Sequence, residues 1–181
     1  LISQQIKSIV AYKIKTQQAE GNYLAFEGKA HSLRFVSALP IKAKQAEGFV
    51  YAIYEFKEGG SEGGRLVLYE QRALNKDFFA EEPKEELAVS LLEGISDVRF
   101  EYYREEDPLK NQQEEWVEEW SAKEERELPQ ALRMTIIQKD QKSREEFPIT
   151  ILASVPAYRY EEVRIGPVKR TIPQTPPRTS Y

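Results

Sequence analysis

The residues able to do chemistry in this chain are few, and one histidine limits them most. His31 lies in Gly28-Lys29-Ala30-His31-Ser32, and the 181 residues contain no cysteine. A Ser–His–Asp site would have to use His31 as its base. Sites built from several histidines or from thiolates are excluded, together with disulfides, iron–sulfur clusters and cysteine nucleophiles. The residues around His31 read as a loop running into a strand, which makes it a solvated loop side chain. No Walker-type loop, dinucleotide fingerprint or EF-hand spacing occurs in the sequence. Gly59-Gly60-Ser61-Glu62-Gly63-Gly64 offers backbone N–H groups, but no helix start and no Lys-Ser/Thr follow, so it is not a phosphate cradle.

The other chemical candidate is an aromatic pair in an acidic block, Glu114-Glu115-Trp116-Val117-Glu118-Glu119-Trp120. Trp116 and Trp120 stand four apart, so they share a face in a helix and also in a strand. Three readings follow: tryptophans anchoring a long loop on the core, a secondary partner surface, or a carbohydrate platform served by Glu114, Glu115, Glu118 and Glu119. The first is preferred, because glycosidase acids are two isolated groups and these form a dense run. A Ca²⁺ loop would need a glycine turn and ligand spacing that the block lacks, which leaves a solvated acidic face. Arg133 and Arg144, flanking a hairpin, read as exposed strand arginines. No cofactor and no metal are expected.

The composition frames these elements. Lys and Arg total 26 against 30 Asp and Glu, a net charge of −4, and 40% of residues are hydrophobic. That is enough apolar material for one core, and too acidic a balance for a nucleic-acid face. No apolar run is long enough to span a bilayer, and a start at Leu1 without methionine suggests a trimmed chain.

Ile2, Ile6, Ile9 and Val10, with Ile14 further on, predict an amphipathic N-terminal helix that stops near Gly21-Asn22. From Ala30 the period becomes two. Leu33–Val36, Phe49–Phe56, Arg65–Glu70, the stretch from Ser96, Ala131–Gln138 and Phe147–Ala153 are predicted strands, with hairpins across the glycine-rich stretch and across Lys139–Lys142. Asn75–Glu86 reads as a link, and Leu87–Leu92 as an apolar run ended by Gly94. The expected fold class is α+β and pilin-like: a helix packed on a predominantly antiparallel sheet over residues 1–155. Residues 156–181, rich in proline, are expected to form an extended or disordered tail.

Three motifs in order carry a resemblance. Leu91-Leu92-Glu93-Gly94-Ile95 leads into Val98-Arg99-Phe100-Glu101-Tyr102; Trp116 and Trp120 follow; then comes Leu128-Pro129-Gln130-Ala131-Leu132-Arg133-Met134. This order resembles the J-type minor pseudopilins of type II secretion systems, and Phe26-Glu27-Gly28 with Ser32-Leu33-Arg34-Phe35 is similar to that family's early strand. The resemblance implies a non-enzymatic subunit near the tip of a pseudopilus. It would be periplasmic and anchored in the inner membrane, with I-type and K-type minor pseudopilins as partners. A minor pilin of a type IV pilus has the same architecture, and a carbohydrate-binding module is the remaining alternative. The expected partner interface is the helix stripe Ile2, Ile6, Ile9 and Val10.

Overall fold

A computed structural model describes residues 1–14, 21–42, 48–60, 63–74, 82–139 and 146–155. The elements in chain order begin with helix α1 (Ile2–Lys7), then β1 (Lys13–Ile14), β2 (Tyr23–Leu24), β3 (Phe26–Lys29) and β4 (Ser32–Ser37). They continue with β5 (Val50–Lys57), β6 (Gly64–Arg72), β7 (Ala88–Arg104), β8 (Glu115–Val117), β9 (Trp120–Ser121), helix α2 (Ala122–Glu125), β10 (Ala131–Lys139) and β11 (Glu146–Ser154). One antiparallel sheet runs in the order β11-β10-β7-β6-β5-β4-β3-β9, with β8 also on β7, and curls into a half-barrel.

The expected α+β, pilin-like architecture does not hold: the protein is mostly β-sheet, and the two α-helices among the described residues have six and four residues. The N-terminal helix ends at Ser8, far before Gly21. Ile9 and Val10 are β-branched and stiff in a helix, and a better use of their backbone is at hand. Ile9 bridges Ser37, Val10 N–H donates to the Val36 carbonyl at 2.9 Å, and Lys13 and Ile14 pair with Leu24 and Tyr23. Ile14, the expected last turn of a stripe, is therefore a buried strand residue.

The strands confirm the period-two reading. Leu33 and Phe35, Ala52 and Tyr54, Leu66 and Leu68, Val98, Phe100 and Tyr102, and Leu132, Met134 and Ile136 alternate along their strands and meet in one core. Each large side chain among them removes about 1.5–3 kcal/mol worth of apolar surface from water. Both predicted hairpins, β5–β6 and β10–β11, are present. Gly94 does not end a segment. It is the extra residue of a bulge, at φ +68°, where Gly64 faces Ile95 and Arg65 faces Glu93, so β7 runs through it for 17 residues. The glycine-rich tip residues 61–62, the turn at 140–145, Arg144, residues 75–81 of the predicted link and the tail 156–181 lie outside the described residues.

Gly28 is the tightest place in the sheet. A Cβ there would fall within the buried Tyr102 ring, whose hydroxyl donates to the Lys29 and Ser32 carbonyls. Gly28→Ala is expected to lower urea-measured stability by about 1–3 kcal/mol through overpacking. Gly60→Ala, where nothing lies within 4 Å of the added carbon, should change it by less than about 0.5 kcal/mol.

Candidate functional site

The N-terminal segment is where the sequence placed an interface, and its four stripe residues divide. Ile6 and Ile9 are buried in this chain's own core, Ile2 packs against that core while partly exposed, and Val10 is partly buried in a second cluster. Any neighbour would meet Ile2 and the exposed Leu1 rather than Ile6 or Ile9.

What holds the segment down is polar. Gln5, fully buried, donates from Nε2 to Glu70 Oε2 at 2.8 Å and to the Leu39 carbonyl at 2.7 Å, and its Oε1 accepts from Tyr54 Oη at 2.7 Å. Glu70 also accepts from the backbone N–H groups of Ile41 and Lys42, at 2.7 and 2.9 Å. Ser37 Oγ lies 3.1 and 3.2 Å from the Gln5 and Ser8 carbonyls, where it can serve the open end of α1. Burial, and secondarily the Glu70 charge, pushes the Tyr54 phenol far above its usual range, so it stays a donor. Two signals for this cluster were in the sequence. Gln5 stands three after Ile2 and four before Ile9, on the apolar stripe rather than off it, and Glu70 shares the parity of Leu66 and Leu68.

The tryptophan segment does not form one apolar ridge. β8 pairs with β7 and β9 pairs with β3, so Trp116 and Trp120 are committed to different strands. Trp120 is buried, its Nε1–H donates to the Glu127 carbonyl at 3.0 Å, and it is a loop anchor as preferred from sequence. Trp116 is only half covered. Its ring lies 5.3 Å from that of Tyr103 and 4.4 Å from the Arg133 guanidinium. Arg133 is not a bare strand arginine: it grips Glu101 with two bonds of 2.6 and 2.7 Å, a planar fork on a carboxylate.

Four acids of this stretch are spent on neighbours. Glu114 accepts from Tyr103 Oη at 2.6 Å, Glu115 and Glu125 flank Arg104 at 3.3 and 2.6 Å, and Glu118 lies 3.8 Å from Arg99. Among the described residues no group of three or more His, Asp or Glu side chains could hold a metal ion. His31 Nδ1 sits 2.9 Å from the Val98 carbonyl and 3.4 Å from Asp97 Oδ1, a link from the β3–β4 turn to β7. These contacts organise surfaces and fix elements to one another. They do not converge on a point where a substrate atom would react.

A family model described as "Type II secretion system (T2SS), protein J" matches residues 1–149. No curated protein and no solved structure matches the chain.

Two outcomes test this geometry. Tyr54→Phe removes the donor to a buried amide oxygen and should cost about 1–3 kcal/mol in denaturant unfolding. For the second, the Arg133 hydrogen bonds hold the Glu101 carboxyl below its usual range, against the opposing effect of burial. A depressed carboxylate stabilises the fold above its unfolded pKa of about 4.3, and the gain disappears as pH falls through the folded value. Glu101→Gln should therefore cost about 1 kcal/mol at neutral pH and almost nothing near pH 2, read from urea midpoints across that range.

Proposed function

The chain belongs to the type II secretion system protein J family, and from that premise we propose that it is a minor pseudopilin that joins I-type and K-type minor pseudopilins at the tip of the pseudopilus. The observation that carries this reading is the family match over residues 1–149. The family is one of structural secretion components rather than enzymes, and the side-chain pairings described above are those of a scaffold. Work done by such a subunit is mechanical: it nucleates a filament by packing beside its neighbours, and the filament supports protein export across the outer membrane.

In this reading the globular part, residues 1–155, is the head. The head works on the periplasmic side of the inner membrane as part of an anchored protein. None of the described helices is long and apolar enough to cross a membrane. The contact with a neighbour runs along the start of the chain, through Leu1 and Ile2 with Val10 behind them, and Trp116 with Arg133 supplies a second surface. Aromatic and arginine side chains of that kind are frequent anchors of protein interfaces.

Mixing the purified chain with an I-type pseudopilin and measuring heterodimer formation by calorimetry tests the proposal. Ile2→Asp is expected to leave the circular dichroism spectrum unchanged and to weaken the heterodimer about tenfold or more. Ile6→Asp, a charge placed in the core, should instead unfold the isolated chain or cost it more than about 3 kcal/mol. Absence of any binding by the unaltered chain at high micromolar concentration would sink the reading.

A further inference from the structure

Two pieces of chain far apart in sequence are gripped by one carboxylate oxygen. The Gln5 side-chain amide has two hydrogens to give. One goes to the Leu39 carbonyl at 2.7 Å and the other to Glu70 Oε2 at 2.8 Å. The same Oε2 accepts from the Ile41 N–H at 2.7 Å, and Oε1 accepts from the Lys42 N–H at 2.9 Å. Helix α1 and residues 38–42 therefore meet at Glu70 of β6. They are also tied to each other. Ser37 Oγ lies 3.1 Å from the Gln5 carbonyl and 3.2 Å from that of Ser8, and it accepts from the Leu39 N–H at 3.1 Å. The Ala38 N–H donates to the Ser8 carbonyl at 2.9 Å.

Neither piece can hold its place alone. A helix of six residues lies well below the length that is stable in water, and residues 38–42 belong to no helix or strand. Glu70 is 7% exposed and Gln5 fully buried. If either piece lifts away, the carboxylate loses a donor it has no water to replace, and the other piece then sits against a poorly satisfied charge. The cost of opening one is thus lowered once the other has opened, which is the condition for a cooperative local unit. We infer that α1 and residues 38–42 form one such unit, which docks on the sheet and leaves it together, and that Glu70 is the residue that positions it. Resting on the minor-pseudopilin reading, Glu70 then governs the contact at Leu1 and Ile2 from within the fold, through Gln5.

Amide hydrogen exchange on the full chain tests the coupling without any partner. The Gln5, Ser8 and Ile9 amides, bonded to the Leu1, Gln5 and Ile6 carbonyls, report on the helix; those of Ile41 and Lys42 report on the connection. The Phe100 amide, bonded to the Ala30 carbonyl at 2.8 Å, reports on the core. Glu70→Gln leaves one acceptor oxygen for three donors and should speed exchange of the helix amides about tenfold, with Phe100 unchanged. Coupling is reciprocal, so Gln5→Met should speed Ile41 and Lys42 by a similar factor. Glu101→Gln, the same kind of change on the outer face, should speed the helix amides no more than it speeds Phe100. With a purified I-type pseudopilin, Glu70→Gln should also weaken the heterodimer about tenfold, although Leu1 and Ile2 are intact.

The inference is overturned if Gln5→Met leaves Ile41 and Lys42 at their original rates, or if Glu70→Gln leaves the helix amides at theirs. Should Glu70→Gln unfold the whole chain, with Phe100 released as well, Gln5→Met still decides the coupling. Helix amides that exchange faster while the heterodimer keeps its affinity would overturn the positioning role. An unaltered chain that binds no I-type partner removes the minor-pseudopilin reading and that role with it, and the exchange rates then decide the cooperative unit by themselves.

Discussion

A carboxylate with little access to water sets the terms for the rest of this molecule. Glu70 is 7% exposed, and it is reached by the Gln5 side chain and by the backbone N–H groups of Ile41 and Lys42. A charge in that position is tolerable only while its lone pairs are filled. Three separate pieces of chain must therefore arrive together: the N-terminal helix, the connection after β4, and β6 itself. Tyr54 from β5 completes the set through Gln5. The result is that a six-residue helix, far too short to be stable alone, has one orientation relative to the sheet. The apolar contacts of Ile6 and Ile9 supply most of the burial there, and the polar knot supplies the angle.

The curl of the sheet is the second constraint, and it follows from local irregularities. Gly94 inserts an extra residue between β6 and β7, and the pairing of β7 with β10 shifts register again between Ile137 and Gln138. Bulges increase strand twist, and with them the sheet bends enough for β3 and β7 to approach. Gly28 and Tyr102 meet at that point, a bare backbone against a full ring. The excursion from Glu105 to Gln130 then straps the gap, with β8 on one strand, β9 on the other and Trp120 buried beneath. The acidic run, whose Glu114, Glu115, Glu118 and Glu119 are exposed as a solvated face would be, is thus also a tie between two distant parts of one sheet.

How much of this could be read in advance depended on whether the signal was local. Strands such as Val50–Lys57 and the two hairpins were legible because alternation and turn residues are properties of neighbours in sequence. The N-terminal helix is shorter than its pattern predicts for a nonlocal reason: continuation past Ser8 competes with the free backbone of β4, and only the fold reveals that competitor. Gly94 reads as a stop in the sequence because a bulge and a terminator ask the same of a glycine, a positive φ. Strand parity predicts a solvent-facing Arg133, which is right for its direction. Its two partners, Glu101 across the β7–β10 register and Trp116 from β8, are set by pairings that no window of sequence contains. The family resemblance survived these errors because it rested on motif order, and order is indifferent to whether a segment is helix or strand.

The division of charge bears on the proposed contact with another protein. Along β7 and β10 the ionic side chains satisfy one another: Arg133 with Glu101, Arg104 with Glu115 and Glu125, Arg99 with Asp97 and Glu118. A partner docking on those rows would have to break existing pairs, and its own charges would gain little in exchange. Leu1 and Ile2 at one margin, and the uncharged run from Phe147 to Val155 along β11, carry no such commitments. The two regions are also joined, because α1 packs against β11. Gln5 ties that helix to β5 and β6 at the same time, so a load applied at the start of the chain passes into the sheet through buried hydrogen bonds and does not rely on a flexible hinge. In the proposed role of a subunit that holds position while others add to it, that stiffness would matter more than any pocket.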